Sequence, residues 1–250
     1  MITLTTDFGN DYYVAELKGI IYSINPDAKV VDVRHNIRRH NILEGAFILS
    51  KIWKHFPEGT IHIGVVDPGV GTERKPIIVR TGYCSFVGPD NGLFSMALKD
   101  LKNPEFYEID VKRLRGQIKM GEISRTFHGR DVFAPAAALI DDGVDLTRFC
   151  RRTNPIVQLE VDEGTVLYVD SFGNVVVNME HDLRPGRRVN LMVGGKTFKA
   201  TAVGTFSEVG DGLGIIRGSH GLLEIILNMG SASELLNVKA GDEIRVEDAV

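Results

Sequence analysis

Three short β-branched runs, Ile2 to Thr5, Lys29 to Val33 and Thr60 to Val66, are separated by two stretches with helical apolar spacing. The first stretch, Tyr12 to Ile24, places Val14, Leu17, Ile20, Ile21 and Ile24 on one face. The second repeats the period at Ile42, Leu43, Ala46, Phe47, Leu49, Ile52, Trp53 and Phe56. Strands and helices in this alternation bury their apolar sides as a parallel sheet covered by helices. Asp11 is placed to cap the first helix and Asn25-Pro26 to end it. Pro76 to Thr81 and Tyr83 to Val87 read as a hairpin around Gly82, and Asn91-Gly92 as a turn into a short helix, Leu93 to Lys99. The helix-like Val132 to Ile140 follows, and the α/β pattern ends near Phe149.

Beyond Asn154-Pro155 the texture changes. Helical periods fade and short strands recur: Thr165 to Val169, Val175 to Asn178, Arg188 to Val193, Lys196 to Ala202, Leu222 to Ile226 and Glu243 to Val246. Gly194-Gly195 and Gly210-Asp211-Gly212 supply turns between them. The expectation is an α/β domain over residues 1–155 with a central, mostly parallel sheet, then a smaller antiparallel β-barrel-like domain over residues 156–250.

Charge narrows the choice of partner. With 29 basic and 33 acidic residues the net charge is -4, which argues against bulk electrostatic binding to nucleic acid or an anionic membrane. Arg34-His35 and Arg38-Arg39-His40 form the one basic cluster, read as a solvated loop between strand and helix. No apolar run approaches the roughly 20 residues of a membrane span, and the first residues lack a charged-then-apolar signal pattern. Only Cys84 and Cys150 are present. A cytoplasmic protein with a small-molecule ligand is expected. Of the histidines, His35, His40, His55, His62, His128, His181 and His220, only His35 and His40 stand at a spacing zinc ligands use, and the two cysteines are far apart, so no metal site is expected.

Four clusters set polar groups among glycines at the ends of strands. Thr5-Thr6-Asp7-Phe8-Gly9 leaves the first strand; Asp7 either caps backbone amides or accepts hydrogen bonds from a ribose diol. Asp67-Pro68-Gly69-Val70-Gly71-Thr72-Glu73-Arg74 leaves the third strand with a carboxylate and a guanidinium, as a structural ion pair or as chemistry. Thr126-Phe127-His128-Gly129-Arg130-Asp131 adds an imidazole ahead of a helix, either a capping or core histidine or a third member of that site. Asp170-Ser171-Phe172-Gly173-Asn174 in the second domain, taken alone, is a hairpin turn.

These four segments in this order, with Gly218-Ser219-His220-Gly221-Leu222-Leu223-Glu224-Ile225 near the end, resemble the S-adenosyl-L-methionine hydroxide adenosyltransferases, relatives of the fluorinases and chlorinases. The resemblance spans essentially the whole chain. It implies hydrolysis of S-adenosyl-L-methionine to adenosine and L-methionine, with Asp67, Arg74 and His128 as the catalytic set. It further implies that Asp7 binds the ribose hydroxyls, Asp170 the methionine ammonium, Phe172 and Asn174 the adenine side, and Ser219 the methionine carboxylate. Glu224 fits the hydrolase pattern among the substrate-binding residues. The halogenases carry a tyrosine where this chain has Asp67, and an arginine where it has His220. The resemblance also implies a homotrimer with ligands at subunit interfaces and S-adenosyl-L-methionine as substrate, with no cofactor.

The chemistry is consistent with those residues. A hydroxide-like oxygen attacking the ribose 5′ carbon of a sulfonium needs an oriented, activated water, and the leaving thioether needs no proton. Asp67 or His128 would accept the proton, with Arg74 holding the carboxylate ionised. Three other classes remain to be distinguished: a non-catalytic S-adenosylmethionine or adenosine binding protein, a metal-dependent phosphohydrolase, and a halide-using transferase.

Overall fold

In the computed structural model, which describes residues 1–118, 121–154, 156–180 and 184–249, the chain divides into two units, Met1–Leu159 and Glu160–Val250. Pro155 and His181 lie outside the described residues. Residues just past Pro155 are tied to the first unit, because the Val157 N–H donates to Asp90 at 2.8 Å and the Leu159 N–H to Ser95 Oγ at 3.2 Å.

The first unit runs β1 (Ile2–Thr6), α1 (Tyr13–Ile24), β2 (Val30–Arg34), α2 (Ile42–Ile52), β3 (Ile61–Val65), β4 (Pro76–Arg80), β5 (Ser85–Pro89), α3 (Ser95–Leu98), β6 (Glu105–Ile109), α4 (Val111–Gln117), α5 (Ala134–Asp141) and β7 (Cys150–Arg152). Its seven strands lie in the order β2-β1-β3-β5-β4-β6-β7. The pairs β2–β1, β1–β3 and β3–β5 are parallel, and the remaining pairs antiparallel. The parallel core and the β4–β5 hairpin match the expectation, while β6 and β7 extend the sheet beyond it.

Packing follows the apolar spacing. Leu17 and Ile21 of α1 are fully buried and share one core with Ile2, Leu4, Ile61, Ile63 and the alanine-rich α5. The other side of β3 buries His62 against the rings of Phe56 and Phe86. Asn41 caps α2, accepting from the Glu44 N–H at 3.0 Å, and Glu44 reaches back to the Arg38 N–H at 3.2 Å. Asn25 ends α1 as expected, its N–H bonded to Ile21 O. Asp11 does not cap that helix. The chain is already helical at Tyr12, and no side chain bonds the first free amides.

Topology fixes where a ligand can sit. From β1 the chain crosses through α1 to β2 on one side and returns through α2 to β3 on the other. The carboxyl ends of β1 and β3 therefore flank the point where the strand order reverses, the crevice in which open α/β sheets bind ligands.

The second unit contains β8 (Val166–Val169), β9 (Val175–Glu180), β10 (Arg188–Val193), β11 (Lys196–Ala202), β12 (Leu213–Arg217), β13 (Leu222–Leu227), α6 (Ala232–Leu236) and β14 (Arg245–Asp248). The sheet order is β14-β10-β11-β12-β13-β9-β8. Thr165 and Glu243, which precede the two edge strands, form an antiparallel bridge, so the sheet curls towards closure as a β-barrel-like domain. One pair, β11–β12, is parallel within this otherwise antiparallel sheet. Valines and leucines of the inner face, with Ala232 and Leu236 of α6, fill its core.

Candidate active site

Asp7 and Asp67 leave adjacent parallel strands at the same level. Thr6 pairs with Val65, and the Asp7 N–H continues the ladder to Val65 O at 3.3 Å. The loop after Asp67 then folds back on itself. Val70 N–H bonds Asp67 O, Thr72 N–H bonds Gly69 O, and Thr72 Oγ1 donates to Gly69 O at 2.7 Å. Gly71 takes φ +78°, and a β-carbon there would lie 2.5 Å from Arg125 O, so both its conformation and its clearance require glycine. Asn91 Nδ2 secures the strand end by donating to Val66 O at 2.9 Å.

That fold brings Arg74 onto Asp67. Nε donates to Oδ1 at 2.9 Å and Nη2 to Oδ2, a two-pronged pair with both side chains less than a tenth exposed. Nη2 also meets His128 Nδ1 at 2.8 Å. The Phe133 ring lies 5.2 Å from the guanidinium carbon and edge-on to His128. A guanidinium has donors only, so Nδ1 accepts, and the proton of neutral His128 sits on Nε2. Burial, and next the Arg74 charge, lower the pKa of His128 below its ordinary value, against the raising effects of Asp67 and Asp131.

His128 stands at the start of a single π turn, Gly129–Phe133, that leads into α5. Such turns are frequent at functional sites. Asp131, 1% exposed, locks the turn by accepting from Arg130 Nε at 2.6 Å, Arg130 Nη2 at 3.0 Å and the Ser124 N–H at 2.8 Å.

Asp7, Asp67 and His128 line one cavity of about 360 Å³, with Phe8, Tyr13 and Phe127 as an aromatic wall. These rings pack edge to face with centroids 5.2 to 5.7 Å apart. Arg39 and His40 also line it. The His40 N–H donates to Asp7 Oδ2 at 2.9 Å from a left-handed backbone, φ 64°. Part of the basic cluster expected to be solvated loop thus borders the cavity; its only sequence signal was position, between β2 and α2.

The remaining candidates gather in the second unit. Asp170, Phe172, Asn174, Ser219 and Glu224 line a cavity of about 830 Å³. Asp170 closes the turn expected of it: Oδ1 accepts from the Phe172 and Asn174 N–H groups at 2.9 Å each, and Oδ2 from Asn174 Nδ2 at 2.9 Å. Phe172, Phe206 and Met229, which line the same cavity, are 76%, 56% and 100% exposed. Among the described residues no three His, Cys, Asp or Glu side chains converge to hold a metal ion, and no helix is long and apolar enough to cross a membrane.

The family model for the SAM hydroxide adenosyltransferase N-terminal domain matches residues 2–150, and that for the C-terminal domain matches residues 164–245. The chain belongs to the SAM hydroxide adenosyltransferase family. Among curated members, the (R)-S-adenosyl-L-methionine hydrolase of Methanocaldococcus jannaschii is 36% identical, covering 98% of this chain and 95% of that protein. The enzyme of that name from Thermus thermophilus is 37% identical, covering 96% and 97%. A fluorinase from Nocardia brasiliensis is 26% identical over 99% of this chain and 96% of its own. The crystal structure of an uncharacterized protein from Thermotoga maritima superposes with a TM-score of 0.89 at 37% identity, covering 99% of this chain and all of that one. In this hydroxide adenosyltransferase, then, the linked carboxylate, guanidinium and imidazole stand with Asp7 in the sheet crevice, and Asp170, Phe172, Asn174, Ser219 and Glu224 line the barrel cavity.

Proposed function

We propose that this protein hydrolyses S-adenosyl-L-methionine to adenosine and L-methionine by attack of water on the ribose 5′ carbon. The observation that carries the reading is the chain Asp67–Arg74–His128 in a cavity that also presents Asp7. Names of the curated relatives support it, and they specify the R configuration at sulfur, which we extend to this substrate.

The water oxygen forms the C–O bond as the C–S bond breaks, and the C–S electron pair neutralises the sulfonium as methionine. One proton must leave the water. Arg74 occupies Nδ1 of His128, so Nε2 carries a proton and can only donate while the ring is neutral. Asp67 is therefore the acceptor: Arg74 takes one lone pair on each carboxylate oxygen and leaves the others for the water. His128 orients the oxygen. Positioning of this kind supplies up to roughly 7–11 kcal/mol of barrier lowering. A carboxylate at the nucleophile's position also repels a halide anion, which favours water over the halide-using alternative.

Asp7 receives the ribose hydroxyls, Phe172 and Asn174 face the adenine side, and Ser219 faces the methionine carboxylate. The second domain completes the site of a neighbouring copy in a homotrimer. Support comes from ligand-type residues lining a cavity in each unit and from the exposed apolar Phe172, Phe206 and Met229 around that of the second. A cytoplasmic location suits two free, buried cysteines, whose thiols burial pushes up to about 11 at Cys84 and about 12 at Cys150. The reaction as written uses no cofactor and no metal.

The test is product analysis by chromatography and mass spectrometry with each sulfonium epimer, with a chelator and with chloride present. Adenosine and methionine, formed from the R epimer under all these conditions, are expected. Chlorinated nucleoside, chelator sensitivity or unchanged substrate would overturn the reading.

A further inference from the structure

Behind the crevice, four side chains that do not line its cavity link β1, β2 and α1. Lys18 Nζ of α1 donates to Asp32 Oδ2 of β2 at 2.6 Å, Asp32 Oδ1 lies 3.1 Å from His35 Nε2, and His35 Nδ1 meets Thr6 Oγ1 of β1 at 3.0 Å. Thr6 is fully buried and the His35 side chain only 17% exposed, so His35 is not the solvated loop residue its sequence position suggested. Asp32 and His35 stand three positions apart, a spacing that points side chains to opposite faces of a regular strand. A bulge brings them together: Leu4 pairs with Asp32 but Thr5 with Arg34, which makes Val33 an extra residue in β2.

The segment enclosed by this linkage is the one that carries Asp7. The Asp32 carboxylate keeps the ring proton on Nε2, so Nδ1 accepts from the Thr6 hydroxyl, whose oxygen in turn accepts from the Phe8 N–H at 3.3 Å. The His35 carbonyl accepts from the Gly9 N–H at 2.6 Å. Asp7 is thus bracketed on both sides by groups tied to one histidine. Strand β1 does not need the imidazole to pair, because backbone ladders hold it to β2 and to β3. What the bracket does fix is the pair Asp7 and Phe8, which line the cavity.

We propose that His35 is a positioning residue, which through Thr6 and Gly9 holds the Asp7 carboxylate in the orientation that receives the ribose hydroxyls. This rests on the hydrolase reading above and on Asp7 as its ribose ligand.

The experiment measures kcat and KM for S-adenosylmethionine in wild type, His35→Gln, His35→Asn, Asp7→Asn and the Asp7→Asn/His35→Gln double variant. The Gln amide stands near the place of Nε2 and leaves Thr6 without its acceptor, whereas the Asn amide stands near the place of Nδ1 and keeps it. His35→Gln should raise KM about threefold to tenfold, the range for one lost hydrogen bond, with kcat unchanged, because the ribose contact is the same in ground and transition states. His35→Asn should restore KM to about the wild-type value. In the Asp7→Asn background His35→Gln should have no further effect on kcat/KM, since both changes remove the same contact. An unchanged KM in His35→Gln, an equal rise in His35→Asn, or an undiminished effect in the Asp7→Asn background would overturn the proposal, the last by showing a purely structural role. An inactive wild type would refute the hydrolase reading alone; the dissociation constant for adenosine, measured by calorimetry across the same variants, would then decide the proposal by the same pattern. If His35→Gln fails to fold, Thr6→Val, which keeps the shape and removes the hydroxyl, should raise KM alike; an unchanged KM there would also overturn the proposal.

Discussion

Arg74 donates from one nitrogen, Nη2, to both the carboxylate of Asp67 and Nδ1 of His128, the latter at 2.8 Å. One guanidinium thereby orients the proton-accepting carboxylate and fixes the tautomer of the imidazole. An ammonium could supply the charge but not the planar fork. Arg74→Lys should lower kcat by about 10²–10³-fold, the loss typical of one preorganised electrostatic contact, with little change in KM. Steady-state kinetics checks this, and a KM effect with kcat intact would place Arg74 in substrate binding instead.

The pH profile carries the sign of the His128 shift. Its pKa is lowered from the ordinary 6.5, and protonation would have to displace the Arg74 N–H from Nδ1. The neutral form is the active one, so kcat should stay level through neutrality and fall only as pH drops below 6.5. An acid limb with its midpoint above 6.5 would contradict the assigned tautomer.

His40 tests whether backbone geometry orders Asp7. A left-handed backbone costs a non-glycine residue about 1–2 kcal/mol, and the His40 N–H bonds Asp7. His40→Gly should raise stability by about 1 kcal/mol. His40→Pro can neither adopt φ 64° nor donate, and should lose roughly 1.5–3 kcal/mol with the hydrogen bond to a charged group and weaken substrate binding. Denaturant melts with KM measurements separate the two.

Buried His62 makes the fold acid-sensitive. Burial lowers its pKa from 6.5 to about 4, so below pH 6.5 the unfolded chain takes up a proton that the folded chain refuses. Stability should fall by about 1.4 kcal/mol per pH unit from 6.5 down to about 4, a loss of about 3 kcal/mol, and level off below. Urea unfolding across that range checks it, and His62→Gln should remove one proton's worth of the slope.

The parts legible in sequence were those where periodicity and burial agree. Leu17 and Ile21 recur at helical spacing because both reach the core, and Ile61 to Val65 is a continuous buried run because helices cover both faces. β6 was missed because Glu105 to Glu108 are half-exposed, and β7 because Cys150–Arg152 is three residues with two exposed arginines. β12 was missed behind a glycine-rich turn, where long-range pairing with β11 and β13 decides. At the site, Asp67, Arg74 and His128 stood out as polar groups among glycines. His40 and Arg39 did not, because their placement depends on where the β2–α2 loop meets Asp7 rather than on any local pattern.

The most direct measurement is a single turnover in oxygen-18 water with purified wild type and Asp67→Asn, following adenosine by mass spectrometry. Wild type should place one labelled oxygen on the 5′ carbon of adenosine, and Asp67→Asn, keeping the shape but not the proton acceptor, should form labelled adenosine at least about 10²-fold more slowly. Unlabelled adenosine, or an Asp67→Asn variant as fast as wild type, would contradict activation of water by the carboxylate that Arg74 holds.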